Sequence, residues 1–145
     1  MDIRSADLID VRKLNQFREA EWPEVDERHF DNKELVDFDE QELTFVAQDN
    51  EEICGYIKMR TEMSVCFIES LIVGKNFRNQ GIAKSLVKKV EETCKEMNLH
   101  KISLETGVEW EARKLYEKLG YKTICELKDH YGHKDFVLME KNLEV

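Results

Sequence analysis

The residues with the most evident chemistry lie in one run, Gly74-Lys75-Asn76-Phe77-Arg78-Asn79-Gln80-Gly81-Ile82-Ala83. Gly81 and Ala83 fall where a helix should begin. A small-residue turn lets a ligand approach the main chain closely, and the first helical turn has N–H groups without partners and partial positive charge. Lys75, Arg78 and Lys84 add full charges around the same point. Such a turn suits a phosphate or pyrophosphate, although an ordinary strand-to-helix connection can use the same residues. Neither GxxxxGK[ST] nor GxGxxG occurs in the chain, so the common phosphate loops are excluded. The second chemical residue is Glu69, set within the apolar run Cys66-Phe67-Ile68-Glu69-Ser70-Leu71-Ile72-Val73. A period of two places Phe67, Glu69, Leu71 and Val73 on one face of a strand. A carboxylate there lines a cleft, closes a structural ion pair or is stranded in a core at high cost.

The flanking patterns supply the elements that must position these groups. Residues 1–4 can form a first strand, and Ser5 or Asp7 can cap a helix carrying Leu8, Ile9, Val11, Leu14 and Phe17, which Trp22-Pro23 should end. Over residues 19–42 there are eleven acidic residues and two basic ones, with His29, Phe30, Leu35, Val36 and Phe38 spaced for a second, shorter helix. That run reads as a solvated face or as an acidic rim for a cationic molecule. Strand patterns at 43–47, 53–60 and 65–73 form a meander leading into the loop. The helix after it has Ile82, Leu86, Val90, Cys94 and Met97 on one stripe, with Glu91 among its outward residues. A strand at 102–106, a helix over 110–119 closed by Gly120, and a hairpin of 121–127 with 136–142 complete the chain. The short helix-to-strand connection at 98–101 makes the strands at 65–73 and 102–106 parallel. The expected fold class is α+β, one mixed and mostly antiparallel sheet of about seven strands with about four helices.

At 145 residues and 41% apolar content the chain reads as one compact domain over 1–145, with a single proline and no repetitive or Ser/Gly-rich run. The start MDIRSADLID lacks a signal-peptide core, and no run reaches the ~18 apolar residues of a membrane helix, so a soluble cytoplasmic protein is expected. Cys54, Cys66, Cys94 and Cys125 form no CxxC pair and read as buried reduced thiols. A net charge of −9 disfavours nucleic acid, which needs a basic face.

Together, Arg78-Asn79-Gln80-Gly81-Ile82-Ala83 and Ala112-Arg113-Lys114-Leu115-Tyr116-Glu117-Lys118-Leu119-Gly120-Tyr121 resemble the R-x-x-G-x-A and A-x-x-L-Y-x-x-x-G-[FY] motifs of the GNAT superfamily of N-acyltransferases. The two lie about thirty residues apart with a helix and a strand between them. The matched region spans residues 65–121, while the segment before it matches only in its order of elements. Where the family often has asparagine three residues before the alanine, this chain has Glu109. The resemblance implies acetyl-CoA as cosubstrate and direct transfer of its acetyl group to a primary amine, without an acyl-enzyme. Leu71, Ile72, Val73, Arg78, Asn79, Gln80, Gly81, Ile82, Ala83 and Tyr116 are its implied contacts. The parallel strands at 65–73 and 102–106 should splay, with a bulge near 71–73 whose main-chain N–H groups meet the oxyanion.

An alkyl amine is only about one part in 2,500 neutral at pH 7, an implicit cost of roughly 4.6 kcal/mol, so a modest base helps. Glu69 is the expected base, directly or through water, with a structural ion pair as the alternative. Tyr116 is the implied general acid towards the CoA sulfur, with Leu115 and Leu119 holding its helix on the sheet and the phenol aimed at the cleft. Its alternative is a core tyrosine. His130 and His133 lack a third firm ligand, so no metal is expected, and the family's last hairpin instead places Tyr131 and His133 beside the acceptor. Cys66 and Cys125 have no histidine partner as nucleophiles. A small cationic amine is the favoured acceptor, from the acidic run at 19–42. A peptide N-terminus or lysine is the alternative, and a non-catalytic acyl-CoA sensor a further one. A homodimer is compatible, dimers being common in the family, and no nucleic acid or membrane partner is expected.

Overall fold

The computed structural model describes residues 1–30 and 40–144. Its contacts divide the chain into two compact units, Met1–Asp37 and Phe38–Val145.

In the first unit no strand forms at residues 1–4. Arg4 instead reaches the Asp10 carboxylate at 2.7 and 2.9 Å, and Asp7 Oδ1 accepts the Ile9 and Asp10 amides in a turn. These bonds take up the polar groups expected to start a helix at Ser5 or Asp7, and α1 begins later, at Val11–His29. Pro23 does not end it. A proline withholds one N–H from the ladder, and the helix continues to His29 with Glu24 and Arg28 paired across the next turn. The second helix expected near 29–38 falls outside the described residues, apart from His29, which belongs to α1, and Phe30.

The second unit is a sheet of six strands: β1 Glu42–Asp49, β2 Glu52–Glu62, β3 Val65–Val73, β4 Lys101–Gly107, β5 Lys122–Leu127 and β6 Phe136–Asn142, ordered β1-β2-β3-β4-β6-β5. All neighbours are antiparallel except β3 with β4, which pair in parallel from Val65↔Lys101 to Ile68↔Leu104. Helices α2, Ile82–Glu96, and α3, Glu111–Lys118, make with α1 three α-helices among the described residues, beside 3-10 turns at Lys75–Phe77 and Tyr131–His133. The architecture is thus the expected mixed, mostly antiparallel α+β sheet, with six strands and three α-helices among the described residues where about seven and four were expected. The missing strand is the N-terminal one.

One irregularity decides the site. Lys58 pairs with Ser70 while Met59 pairs with Ile68, so Glu69 is the extra residue of a β-bulge. The bulge shifts the side-chain phase of β3. Cys66 and Ile68 before it and Leu71 after it turn to the core, while Glu69 turns to the opposite face with Lys58 and Arg60 of β2. Glu69 therefore does not share a face with Leu71 and Val73, and the bulge lies before residues 71–73 rather than within them.

The core packs Leu86, Val87, Val90 and Cys94 of α2 against Ile57, Met59, Cys66 and Ile102 of the sheet. Glu91 is not outward-facing as its helical position suggested. It bonds Lys141 Nζ at 2.9 Å, and the same ammonium donates to the Leu119 carbonyl at 2.7 Å. A charge with two acceptors can be half-buried at tolerable cost, and this one ties α2, the end of α3 and β6 together. Gly120 ends α3 with φ +90°, the left-handed conformation that favours glycine. Cys54, Cys66 and Cys94 are buried, but Cys125 is exposed because edge strand β5 is covered on neither face. The Cys66 thiol is pushed up by its contact with Cys94 and by burial. No described helix is long and apolar enough to cross a membrane.

Candidate active site

The parallel pairing of β3 with β4 stops at Ile68↔Leu104, although β3 runs on to Val73 and β4 to Gly107. The two strands part at the bulge, as the resemblance implied. Beyond Ile68 the β4-facing edge of β3 has no strand partner, while its other edge stays paired to β2 through Gly55↔Val73. A polar chain entering the gap meets backbone donors and acceptors that the sheet does not use.

On the helical side this parting opens into a cleft of about 790 Å³ bordered by the end of β3, the following turn, α2 and α3. Leu71, Ile72 and Val73 form its inner wall, and Arg78, Asn79, Gly81, Ile82 and Ala83 its floor. Of the expected cosubstrate contacts, Gln80 and Tyr116 do not line it. Arg78 Nε donates to the Val73 carbonyl at 3.2 Å, folding the loop back on the strand that precedes it. Asn79 at φ +60° and Gly81 at φ +80° turn the chain sharply into α2. No side chain caps that helix, and the first amide to close the ladder is that of Ser85, on the Gly81 carbonyl at 3.0 Å. The amides of Ile82, Ala83 and Lys84 precede that bond, the arrangement that suits an anion at a helix start.

The cleft has a second basic wall that the motif did not announce. Lys114 and Lys118, one turn apart on α3, line it opposite Arg78 and Lys84, with Glu111 as the acidic lining residue. Their i,i+4 spacing beside Leu115 was the available signal. Lys75 does not line the cleft. A nucleotide carrying several phosphates suits four cations around exposed amides.

Tyr116 lies elsewhere than expected. It is the buried residue of α3, 4% exposed, and its ring meets Tyr121 edge-on at 5.3 Å, whereas Ala112 and Leu115 face the cleft. Tyr116 thus anchors the helix that Leu115 was expected to hold. Burial raises its phenol above the usual tyrosine range, so it is protonated at neutral pH.

The opposite face of the sheet carries carboxylates on both sides of the parting. Glu69 follows the last paired residue of β3 and Glu105 the last paired residue of β4. Glu69 bonds Lys58 at 3.1 Å and Arg60 at 3.3 Å, and these cations also hold Glu42 and Glu62. Lys58 is pushed up by Glu42 first and Glu69 second. Glu105 escaped the sequence reading because a lone charge in a short strand looks like an outward residue. Its Oε2 lies 3.0 Å from His130 Nε2, and it raises the Tyr131 phenol. His133 pairs with Asp129 at 2.9 Å, away from Glu105. Among the described residues no group of three or more His, Cys, Asp or Glu is placed to hold a metal ion.

Known proteins resemble this chain in sequence and in fold. The model of the Acetyltransferase (GNAT) family matches residues 9–121, more than half of the chain. N-alpha-acetyltransferase 30 of Schizosaccharomyces pombe is 32% identical over 98 residues, and the chain spans 63% of that relative's length. An acetyltransferase of Bacillus cereus superposes with a TM-score of 0.76 over 99% of this chain and 98% of its own, at 19% identity. A Bacillus anthracis acetyltransferase in complex with acetyl coenzyme A gives 0.66 over 77% and 67%, at 23% identity.

Proposed function

The chain belongs to the GNAT family of acetyltransferases, an acyl-CoA-dependent N-acetyltransferase using acetyl-CoA, and from that premise we propose that its acceptor is the N-terminal amine of a polypeptide. The observation that carries the site is the parting of β3 from β4 above the basic cleft. Acetyl-CoA lies in the cleft with its pyrophosphate on the amides of residues 82–84, flanked by Arg78 and Lys84. Its thioester reaches the parting, and the amine approaches from the face that carries Glu69 and Glu105. The free edge of β3 at 71–73 offers N–H groups to the oxyanion, a contribution of roughly 3 kcal/mol. Proximity supplies much of the rate. Tyr116 is the acid that the family resemblance implies for the departing thiolate; it stays protonated, but it does not line the cleft in this structure.

Two observations favour a peptide over a small polycation. The 32% identical relative is an N-alpha-acetyltransferase. On the acceptor face Glu42, Glu62 and Glu69 share Lys58 and Arg60, and Glu140 pairs with Lys101, so most carboxylates of that face already hold a cation of the protein's own. The acidic run at 19–42 favours the small cationic amine as the second reading. Thiol release from acetyl-CoA, measured with free-N-terminus peptides, an N-blocked lysine peptide and spermidine, separates them. Turnover of spermidine above the peptides overturns the peptide reading, and acetyl-CoA binding without turnover on any amine favours a sensor. Tyr116→Phe should lower kcat about 100-fold; an unchanged rate across pH removes the acid role.

A further inference from the structure

The cleft holds more positive charge than a pyrophosphate needs. The protein as a whole has a net charge of −9, yet Arg78, Lys84, Lys114 and Lys118 line one cavity, with Glu111 as its acidic residue. Cations on the sheet are already paired: Lys58, Arg60, Lys101 and Lys141 each hold a carboxylate within 3.1 Å. Those of the cleft are not. Arg78 donates to the neutral Val73 carbonyl, and Lys84 and Lys118 form no ion pair with a described residue. Lys114 meets Glu111 at the long distance of 3.6 Å, with both side chains mostly exposed.

The charges on α3 are sorted by face. Arg113 pairs with Glu117 one turn on, at 3.2 Å, and reaches the Val108 carbonyl. Lys114 and Lys118 repeat the same i,i+4 spacing with like charges, which repel. Lys118 in the last turn suits the helix dipole, but Lys114 lies a full turn earlier and gains little from it. The helix thus sets two ammoniums on the cavity wall at some cost to itself. On the other wall the amides of residues 82–84, with Arg78 and Lys84, already provide for one anionic group. Two further cations call for a second anion. Coenzyme A has one: beyond its pyrophosphate it carries a 3′-phosphate on the ribose, and a phosphate monoester holds about 1.5 to 2 negative charges at pH 7.

Resting on the placement of the pyrophosphate at the start of α2, we infer that Lys114 and Lys118 form a second phosphate site, which receives the ribose 3′-phosphate and makes this transferase select acetyl-CoA over its dephospho form. Glu111 tempers the site, because its carboxylate stands in the same cavity and faces Lys114. The two lysines determine donor specificity and touch no reacting atom. Dephospho-CoA, like a phosphopantetheine arm carried on a protein, lacks that phosphate and gains nothing from the pair.

Calorimetry with CoA and with dephospho-CoA provides the test. The wild type should bind CoA about tenfold more tightly, and the gap should narrow between about 50 and 500 mM salt, which screens exposed charges. Lys114→Gln with Lys118→Gln changes exposed positions alone. That double variant should weaken CoA about tenfold, leave dephospho-CoA unchanged and bring the two Kd values together. Glu111→Gln should move the other way, tightening CoA about threefold and dephospho-CoA not at all. Arg78→Gln with Lys84→Gln should weaken both ligands alike. A wild type that binds both ligands equally, or a Lys114/Lys118 variant that weakens both by the same factor, overturns the 3′-phosphate site and leaves the pyrophosphate placement intact. If the Arg78/Lys84 variant binds both ligands as the wild type does, the placement and the inference fall together.

Discussion

Gly81 offers a substitution whose cost can be worked out in advance. It has φ +80° and ψ 8°, and a Cβ built on it meets no atom within 4 Å. A side chain there adds no steric conflict with its surroundings, only the strain of an L-residue in the left-handed region. That strain is roughly 1–2 kcal/mol for alanine. Gly81→Ala is therefore expected to lose about 1.5 kcal/mol in urea denaturation with an unchanged m-value, and about 3–6 °C in Tm. Gly81→Asn, although larger, should lose less, since asparagine tolerates this conformation. If alanine instead relaxes the turn, the amides of residues 82–84 rotate away from the pyrophosphate. Losing about one charge-assisted hydrogen bond then weakens acetyl-CoA some 10- to 100-fold by calorimetry. Strain and affinity should move together, Gly above Asn above Ala. An asparagine variant that costs more than alanine in both assays would refute the reasoning, because size rather than backbone conformation would then be limiting.

The Tyr121 hydroxyl is buried beside the Glu91 carboxylate without a hydrogen bond of full geometry, so Tyr121→Phe should gain about 1 kcal/mol in chemical denaturation; a loss of that size would mean that the contact with Glu91 is a true bond. Lys141→Met strands the Glu91 carboxylate and the Leu119 carbonyl and should cost about 2 kcal/mol, of which adding Glu91→Leu should recover part. Burial raises Tyr116, and burial with the Glu91 charge raises Tyr121, so both phenols ionise later in the fold than in the unfolded chain. Their contribution to stability is complete below about pH 10 and is lost as pH rises towards the folded values. Urea midpoints should accordingly fall above about pH 10, and Tyr121→Phe should blunt that fall.

Much of the fold was legible along the chain because its signals are local. Strand and helix periods at β2, α2 and β6 follow from which residues must be buried, and the glycine at 120 from a conformation that β-carbons resist. The elements misjudged were those where local preference met competition. Arg4 bonded Asp10 instead of entering a strand, and α1 ran through Pro23 because one missing N–H does not outweigh several remaining turns. Glu91 appeared solvated because nothing nearby in sequence discloses an ammonium fifty residues away.

By itself, the amino-acid sequence disclosed the strand-turn-helix run with its small and basic residues, and the family. Gly81, Ala83 and Arg78 act through backbone geometry and charge within a few residues of one another, and such geometry is encoded locally. Only the tertiary structure decided which partners each carboxylate has at the parting of the strands. The bulge that turns Glu69 towards Lys58 and Arg60 is a register difference between two strands, and Glu105 meets His130 across 25 residues. Neither is a property of any one segment. Which charges lie within a few ångströms of a side chain is set by how the strands pair.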